Sequence, residues 1–254
     1  MSPAPFALIT GASSGIGLAL ARIAAAEGHD LLLVSDEDDI HAVAAELGQG
    51  AAALKVDLAT DEGVREVVNA VSGRTLALVA ANAGKGLGHD FVEQSFEDIR
   101  RVIDTNITGT VQLLHGLVPQ MVDEGSGHIL ITGSIAGYMT GPGQAIYNAS
   151  KAFLNLFSDS LGEELKETGV TVTCLQPGPT DTNIFENAGL ADSPIGRQKK
   201  DDPSFVAQVG YDAAMKGETS VVSGVMNKLQ AFGAKFGPSG AVASAHRKLT
   251  DPDN

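Results

Sequence analysis

The sequence has a single cysteine, Cys174, only 17 Lys and Arg against 31 Asp and Glu, and no apolar run approaching the ~20 residues that cross a bilayer. Each scarcity excludes something. One cysteine forms no internal disulfide, and with Val170, Thr171, Val172 and Thr173 before it Cys174 reads as a core thiol suited to a reducing compartment. The formal net charge of -14 sets up a field that repels phosphate backbones and anionic lipid, so neither a nucleic acid nor a membrane is expected as a partner. The opening Met1 Ser2 Pro3 Ala4 Pro5 lacks the basic stretch of a secretory signal, and a cytoplasmic protein is expected. The six histidines show no metal-ligand spacing, so no metal is expected. No linker, charge run, low-complexity stretch or fixed-period repeat divides the 254 residues, and residues 1–254 read as one domain.

What is present is an alternation of short β-rich apolar runs with segments of helical period. The runs are Phe6 to Thr10, Leu31 to Ser35, Ala51 to Val56, Leu76 to Ala81, Ile129 to Thr132, Val170 to Gln176 and Ser220 to Ser223. Helices such as Ile16 to Glu27 and Tyr147 to Thr168 separate them. Strands this uniformly apolar are covered on both faces, so the pattern predicts an α/β fold with a doubly wound, Rossmann-like parallel sheet of about seven strands. An insertion of about 182–217 interrupts the repeat; it holds the basic run Arg197 Gln198 Lys199 Lys200, and Asp201 Asp202 Pro203 opens a helix there. A helical tail of about 225–254 follows. Val225, Met226, Leu229, Phe232 and Phe236 recur in it at helical spacing until Gly237 and Pro238, as core cover or as a substrate lid.

Directly after the first strand comes Thr10 Gly11 Ala12 Ser13 Ser14 Gly15 Ile16 Gly17, opening an Ala-rich helix. Glycines here let the turn tighten and bring backbone amides at a helix N-terminus up to a pyrophosphate. The spacing is Gly-x-x-x-Gly-x-Gly, and no Gly-Lys-Ser/Thr follows as in a nucleotide triphosphate loop. Asp36 ends the second strand, where a carboxylate accepts both hydroxyls of an adenosine ribose. Asp57, followed by Leu58, ends the third strand; it suits the adenine amino group, or equally a cap for the helix after it.

Tyr147 and Lys151 share a helix face four residues apart. A Lys charge ~5 Å away at an effective dielectric of ~20 is worth roughly 3 kcal/mol, which would lower a phenol near pKa ~10 by about two units before desolvation takes its share. Ser134, at the C-terminal end of the fifth strand, faces the crevice where such sheets bind ligands. With these residues the chain resembles the short-chain dehydrogenase/reductase family. The resemblance runs from Phe6 to about Thr182 through the glycine loop, Asn82 Ala83 Gly84, Asn106, Ser134, Tyr147 with Lys151, and Pro177 Gly178, all in family order.

The resemblance implies that Tyr147 exchanges a proton with the substrate oxygen and Ser134 hydrogen-bonds that oxygen. It implies that Lys151 binds the nicotinamide ribose and lowers the Tyr147 pKa, and that Asn106 positions a relay water. Ser13, Ser14 and Ile16 with the loop glycines would hold the pyrophosphate, and Asn82, Ala83 and Gly84 would brace the sheet beside the adenosine ribose. Pro177, Gly178, Thr180 and Thr182 would border the nicotinamide, Thr182 being alternatively a helix cap. The expected cofactor is NAD rather than NADP, because Asp36 repels a 2′-phosphate and neither Ser13, Ser14 nor Ser35 is a compensating Lys or Arg. The expected activity is hydride transfer to or from a small secondary alcohol or ketone. A 3-oxoacyl thioester reductase, for which Arg100 and Arg101 offer a basic spot, and a silent NAD-binding sensor or scaffold are the alternatives. A homodimer or homotetramer is expected through Val111, Leu114, Leu117, Val118 and Met121 on one helix and Phe153, Leu156, Phe157 and Leu161 on another.

Overall fold

The computed structural model describes residues 4–251. Seven strands, β1 (Phe6–Thr10), β2 (Asp30–Ser35), β3 (Ala51–Lys55), β4 (Leu76–Ala81), β5 (Gly127–Thr132), β6 (Val170–Gln176) and β7 (Ser220–Val222), form one parallel sheet in the order β3-β2-β1-β4-β5-β6-β7. Chain order reverses between β1 and β4, and a ligand crevice opens beyond the strand ends at such a point.

Alternate side chains of each strand feed opposite cores. Phe6 and Leu8 of β1 face one layer with Val64 and Val67 of α3 (Asp61–Ala70), Leu114 and Leu117 of α5 (Thr110–Glu124), and Leu154 of α6 (Ala145–Leu165). Ala7 and Ile9 face the other with Leu20 of α1 (Gly15–Ala26), Ile40 of α2 (Ile40–Leu47), and Val206 and Tyr211 of α9 (Pro203–Met215). Truncating a buried leucine of these layers to alanine costs about 2–5 kcal/mol. Cys174 is one of the buried residues; its thiol is pushed by burial up to about 11, which suits an inert core position.

Local chemistry sets the boundaries. Thr60 accepts from the Gly63 amide to start α3, Ser95 from Asp98 to start α4 (Phe96–Ile103), and Asp202 from Ser204 with Pro203 at the first turn of α9. Between α4 and α5 the chain widens into a π-helical turn, Asp104–Gly109. The insertion contains two short helices, α7 (Ile184–Asn187) and α8 (Pro194–Arg197), before α9; after β7 the tail forms α10 (Val225–Phe236) and α11 (Ser239–Thr250).

Two apolar stripes behave differently from the sequence expectation. Leu114, Leu117 and Met121 are already buried under the sheet, and Val111 and Val118 are half-buried, so α5 has little left to offer a partner subunit. A single helix stripe serves one surface, and the sheet has taken it. On α6, Phe153 and Leu156 do remain exposed, with Phe157 stacked on Phe153 and Leu161 half-buried. The α10 stripe is not core cover: Val225, Met226, Leu229, Phe232 and Phe236 all point into solvent.

Candidate active site

The turn from β1 into α1 requires glycine. Gly11 and Gly15 have φ of +64° and +55°, and a Cβ on Gly17 would stand 2.0 Å from the Gly11 carbonyl oxygen. Ser14 is the N-cap of α1 but makes no capping hydrogen bond, which leaves the first-turn amides available to an anion. Asn82 locks this turn to the sheet: its Nδ2 donates to the Thr10 carbonyl at 3.1 Å, its Oδ1 accepts from Thr132 at 2.9 Å, and the amides of Asn82 and Ala83 both donate to Thr10 Oγ1 at 3.0 Å. Gly84 lies against Asn106 and Lys151; a Cβ there would come within 3.5 Å of Lys151 Nζ.

At the end of β2 Asp36 is not alone. Arg101 Nη2 lies 3.0 Å from its Oδ2 and Lys85 Nζ 3.2 Å away, while the other arm of Arg101 pairs with Asp57. Ser13, Ser14 and Ser35 indeed supply no cation, but the chain compensates Asp36 from elsewhere, with cations from the loop after β4 and from α4. Burial raises the Asp57 carboxyl, but Arg101 and the Ala59 amide outweigh it and hold it below its usual value. Asp57 makes no cap to α3, whose cap is Thr60, and accepts instead from Ala59 at 2.9 Å. The acidic run is also partly spent: Glu37 accepts from Ser13 Oγ at 2.6 Å and Asp38 from Lys55 at 2.5 Å, so the hydroxyl of Ser13 is committed within the protein.

Toward the sheet's other half, Ser134 follows β5 and Tyr147 and Lys151 lie on the first turns of α6. Ser134 Oγ donates to the Pro177 carbonyl at 3.2 Å and accepts from the Ala136 amide at 3.0 Å. Lys151 Nζ donates to the Thr132 carbonyl at 2.8 Å and sits 5.9 Å from the Tyr147 ring centroid. Burial pushes the Tyr147 phenol up to about 12, with the neighbouring Ser134 side chain acting the other way, and burial pulls Lys151 down to about 8. The lowered phenol expected from the four-residue spacing is therefore not found: desolvation of the buried Tyr147 is the largest influence on it and acts in the other direction.

Asn106 is fully buried in the π-helical turn. Its Oδ1 accepts from the Lys85 amide at 2.7 Å, and its Nδ2 donates to the Lys85 carbonyl and to Ser150 Oγ, each at 3.0 Å. Its amide is thus spent on the backbone beside Asp36 and on α6, and its neighbour Thr105 reaches the cavity wall instead.

One cavity of about 650 Å³ collects nearly all of the sequence-predicted residues. Gly11, Ser13, Ser14, Gly15 and Ile16 line the cavity at the β1–α1 turn, and Asp36, Asp57, Leu58, Asn82, Ala83 and Gly84 line it at the ends of β2, β3 and β4. Ser134, Tyr147, Lys151, Pro177, Gly178, Thr180 and Thr182 line the opposite half. Gly17 and Asn106 stand behind the wall. Thr182 does not cap α7, whose N-cap is Asn183. The wall beyond Tyr147 comes from α7, from Gln230, Gly233 and Ala234 on α10, and from Val242, Ala245 and His246 on α11. Helix α11 is tied to the loop before α6: His246 Nδ1 lies 3.2 Å from the Pro142 carbonyl and Thr250 Oγ1 donates to it at 2.9 Å.

A family model of short chain dehydrogenases matches residues 5–192. The chain belongs to the short-chain dehydrogenase/reductase family. It is 31% identical over 204 residues to an uncharacterized oxidoreductase of Staphylococcus epidermidis, covering 79% of this chain and 86% of that protein. A solved short-chain dehydrogenase from Sphingobium yanoikuyae, in complex with NADPH, is 32% identical with a TM-score of 0.80, over 86% of this chain and 87% of that one. The bulky-bulky ketone specific alcohol dehydrogenase of Comamonas testosteroni is 26% identical with a TM-score of 0.77 and covers 95% and 96%.

This short-chain dehydrogenase is accordingly an oxidoreductase of an NAD(P)-dependent family. Its family motifs were visible in the sequence. Lys85 and Arg101 were missed as site residues, although Lys85 directly follows Asn82 Ala83 Gly84, because their meeting with Asp36 is tertiary. The α10 and α11 wall was missed because helical spacing does not say which side of a helix faces a cavity.

Proposed function

We propose that this dehydrogenase moves hydride between NAD(H) and a secondary alcohol or ketone. The observation that carries the reading is the convergence of Ser134, Tyr147 and Lys151 with the Gly11 to Gly15 turn on one cavity. The glycine cradle and uncapped α1 N-terminus fit a dinucleotide pyrophosphate, with Ser13, Ser14 and Ile16 alongside. Asp36 takes the adenosine ribose, Asp57 and Leu58 the adenine, and Pro177, Gly178, Thr180 and Thr182 border the nicotinamide. Hydride donation and acceptance is the chemistry a bound nicotinamide supplies.

Ser134 then holds the substrate oxygen. In reduction the Tyr147 phenol gives its proton to that oxygen as the carbon receives hydride; in oxidation the phenolate takes the proton back. A phenol raised to about 12 is protonated at neutral pH, the form that serves ketone reduction. Lys151 holds the cofactor ribose, and Asn106 acts by positioning the Lys85 backbone and Ser150.

NAD is the preferred cofactor, by a factor of about ten rather than the thousandfold that an unopposed Asp36 would give, since Lys85 and Arg101 offset its charge. The ketone substrate class is supported by the kinship over nearly the whole chain with the Comamonas testosteroni enzyme. The 3-oxoacyl thioester alternative loses its basic spot, because Arg100 pairs with Asp104 and Arg101 with Asp36 and Asp57. The reading places the enzyme in the cytoplasm, in keeping with its lone buried thiol, as a homo-oligomer. A screen of secondary alcohols with NAD, following NADH absorbance, tests it: turnover of at least one is expected, and NADH binding without any turnover would favour the sensor reading.

A further inference from the structure

Helix α10 meets the rest of the chain through Asn227 and Ala231, with Ala234 half-buried. At 100° per residue the set Val225, Met226, Leu229, Phe232 and Phe236 lies on the opposite side, and each is 63–76% exposed. Phe232 and Phe236 pack ring to ring at 4.8 Å, making a continuous apolar ridge. Five large side chains at this exposure amount to on the order of 500 Å², near the upper limit of the largest apolar patch on a soluble monomer.

Lys228 and Lys235 run along one edge of the ridge. From Thr219 to Thr250 the sequence has four basic residues, the others being Arg247 and Lys248, and no acidic one, inside a chain of net charge -14. Arg247 is paired with Asp90; Lys235 lies 5.7 Å from the Tyr138 ring, which leaves its charge unneutralised.

We infer that α10 is a membrane-surface helix: its apolar ridge enters the interfacial layer of a bilayer, and Lys228 and Lys235 meet anionic phospholipid headgroups. A helix with a strongly apolar face and a cationic rim has this affinity. A second copy of the chain is the poorer occupant. Pairing α10 with α10 or α11 of a second copy leaves its lysines without a carboxylate, since neither helix has one. The acidic remainder of the surface opposes approach, but at physiological ionic strength its field falls off over about 8 Å, so an outward-facing cationic ridge acts locally. Among the described residues no helix is long and apolar enough to cross a membrane, so the attachment is peripheral. Gln230, Gly233 and Ala234 of α10 line the cavity, so the helix that meets the lipid also forms part of the cavity wall.

The test is flotation of the full chain with vesicles of phosphatidylcholine alone and of phosphatidylcholine mixed with phosphatidylserine. Binding to the serine-containing vesicles is expected, at least tenfold tighter than to phosphatidylcholine alone and weakened by salt. The double change Leu229→Glu with Phe232→Glu should abolish it, and Lys228→Ala with Lys235→Ala should weaken it by roughly tenfold or more. Circular dichroism melting checks that each variant is folded; if the glutamate pair is not, Phe232→Ser serves in its place with a loss of at least fivefold expected. No binding by the wild type, or equal binding by the folded variants, overturns the proposal. So does a concentration-dependent dimer, without vesicle binding, that Leu229→Glu with Phe232→Glu dissociates: the ridge would then meet a second copy.

Discussion

Replacing Arg101 by alanine should widen the preference for NAD over NADP. Asp36 faces two cations at 3.0 and 3.2 Å, and the cluster of Asp36, Asp57, Lys85 and Arg101 balances two charges of each sign. A phosphate on the adenosine ribose about 4 Å from Asp36 meets roughly 4 kcal/mol of repulsion per charge at an effective dielectric of ~20, and a guanidinium at the same range returns a similar amount. All four side chains are 35–38% exposed, so screening reduces either quantity to about 1–2 kcal/mol. Loss of Arg101 therefore removes about tenfold or more from NADPH affinity. NADH, which brings no 2′-phosphate, should change by less than about threefold. Titration of nucleotide fluorescence with NADH and NADPH measures both without a substrate. An equal loss for the two nucleotides would refute the electrostatic reasoning and leave Arg101 as a prop for Asp57 and the adenine side; Asp36→Ala should move the ratio the opposite way.

Two further outcomes follow from burial. Lys151 is lowered from 10.5 to about 8, so its buried charge costs about 3 kcal/mol below pH 8, and that cost disappears as pH rises toward 10.5, where the unfolded chain also loses the proton. Lys151→Met should consequently be more stable than wild type in urea at pH 7.5, less the ~1 kcal/mol of the lost bond to Thr132, and the advantage should shrink by pH 9.5; a gap that does not move with pH contradicts this. The remaining candidate for self-association is the side where Phe96 of α4, which packs against α6, and Phe153 and Leu156 are exposed. Light scattering should give more than a monomer mass at micromolar concentration and Leu156→Glu should weaken association at least about tenfold, whereas a monomeric wild type would refute an oligomer at this face.

Much of the fold was legible because parallel strands covered on both faces are apolar throughout: β1, β4 and β6 have the ends that their apolar runs predict. The site was legible wherever chemistry depends on neighbours in sequence, as in the glycine turn, or on an ordered series of motifs, as from Asn82 to Gly178. It was illegible where partners are remote. Arg101 reaches Asp36 across 65 residues, and nothing near either residue announces the pair. Periodicity located the α5 and α10 stripes, but a stripe states that a surface is apolar without saying whether sheet, subunit or solvent faces it; here the α5 stripe lies under the sheet and the α10 stripe is exposed. Tyr147 and Lys151 had the right spacing, yet spacing carries no desolvation, and burial reversed the expected direction of the phenol.

The central claim, that Tyr147 exchanges the substrate proton, is tested most directly by comparing wild type with Tyr147→Phe on whichever alcohol the screen yields. The ring keeps its packing and loses only the titrating oxygen. Turnover should fall by ~10²-fold or more while the dissociation constant for NADH stays within about threefold. Retention of more than about a tenth of wild-type turnover would contradict the assignment.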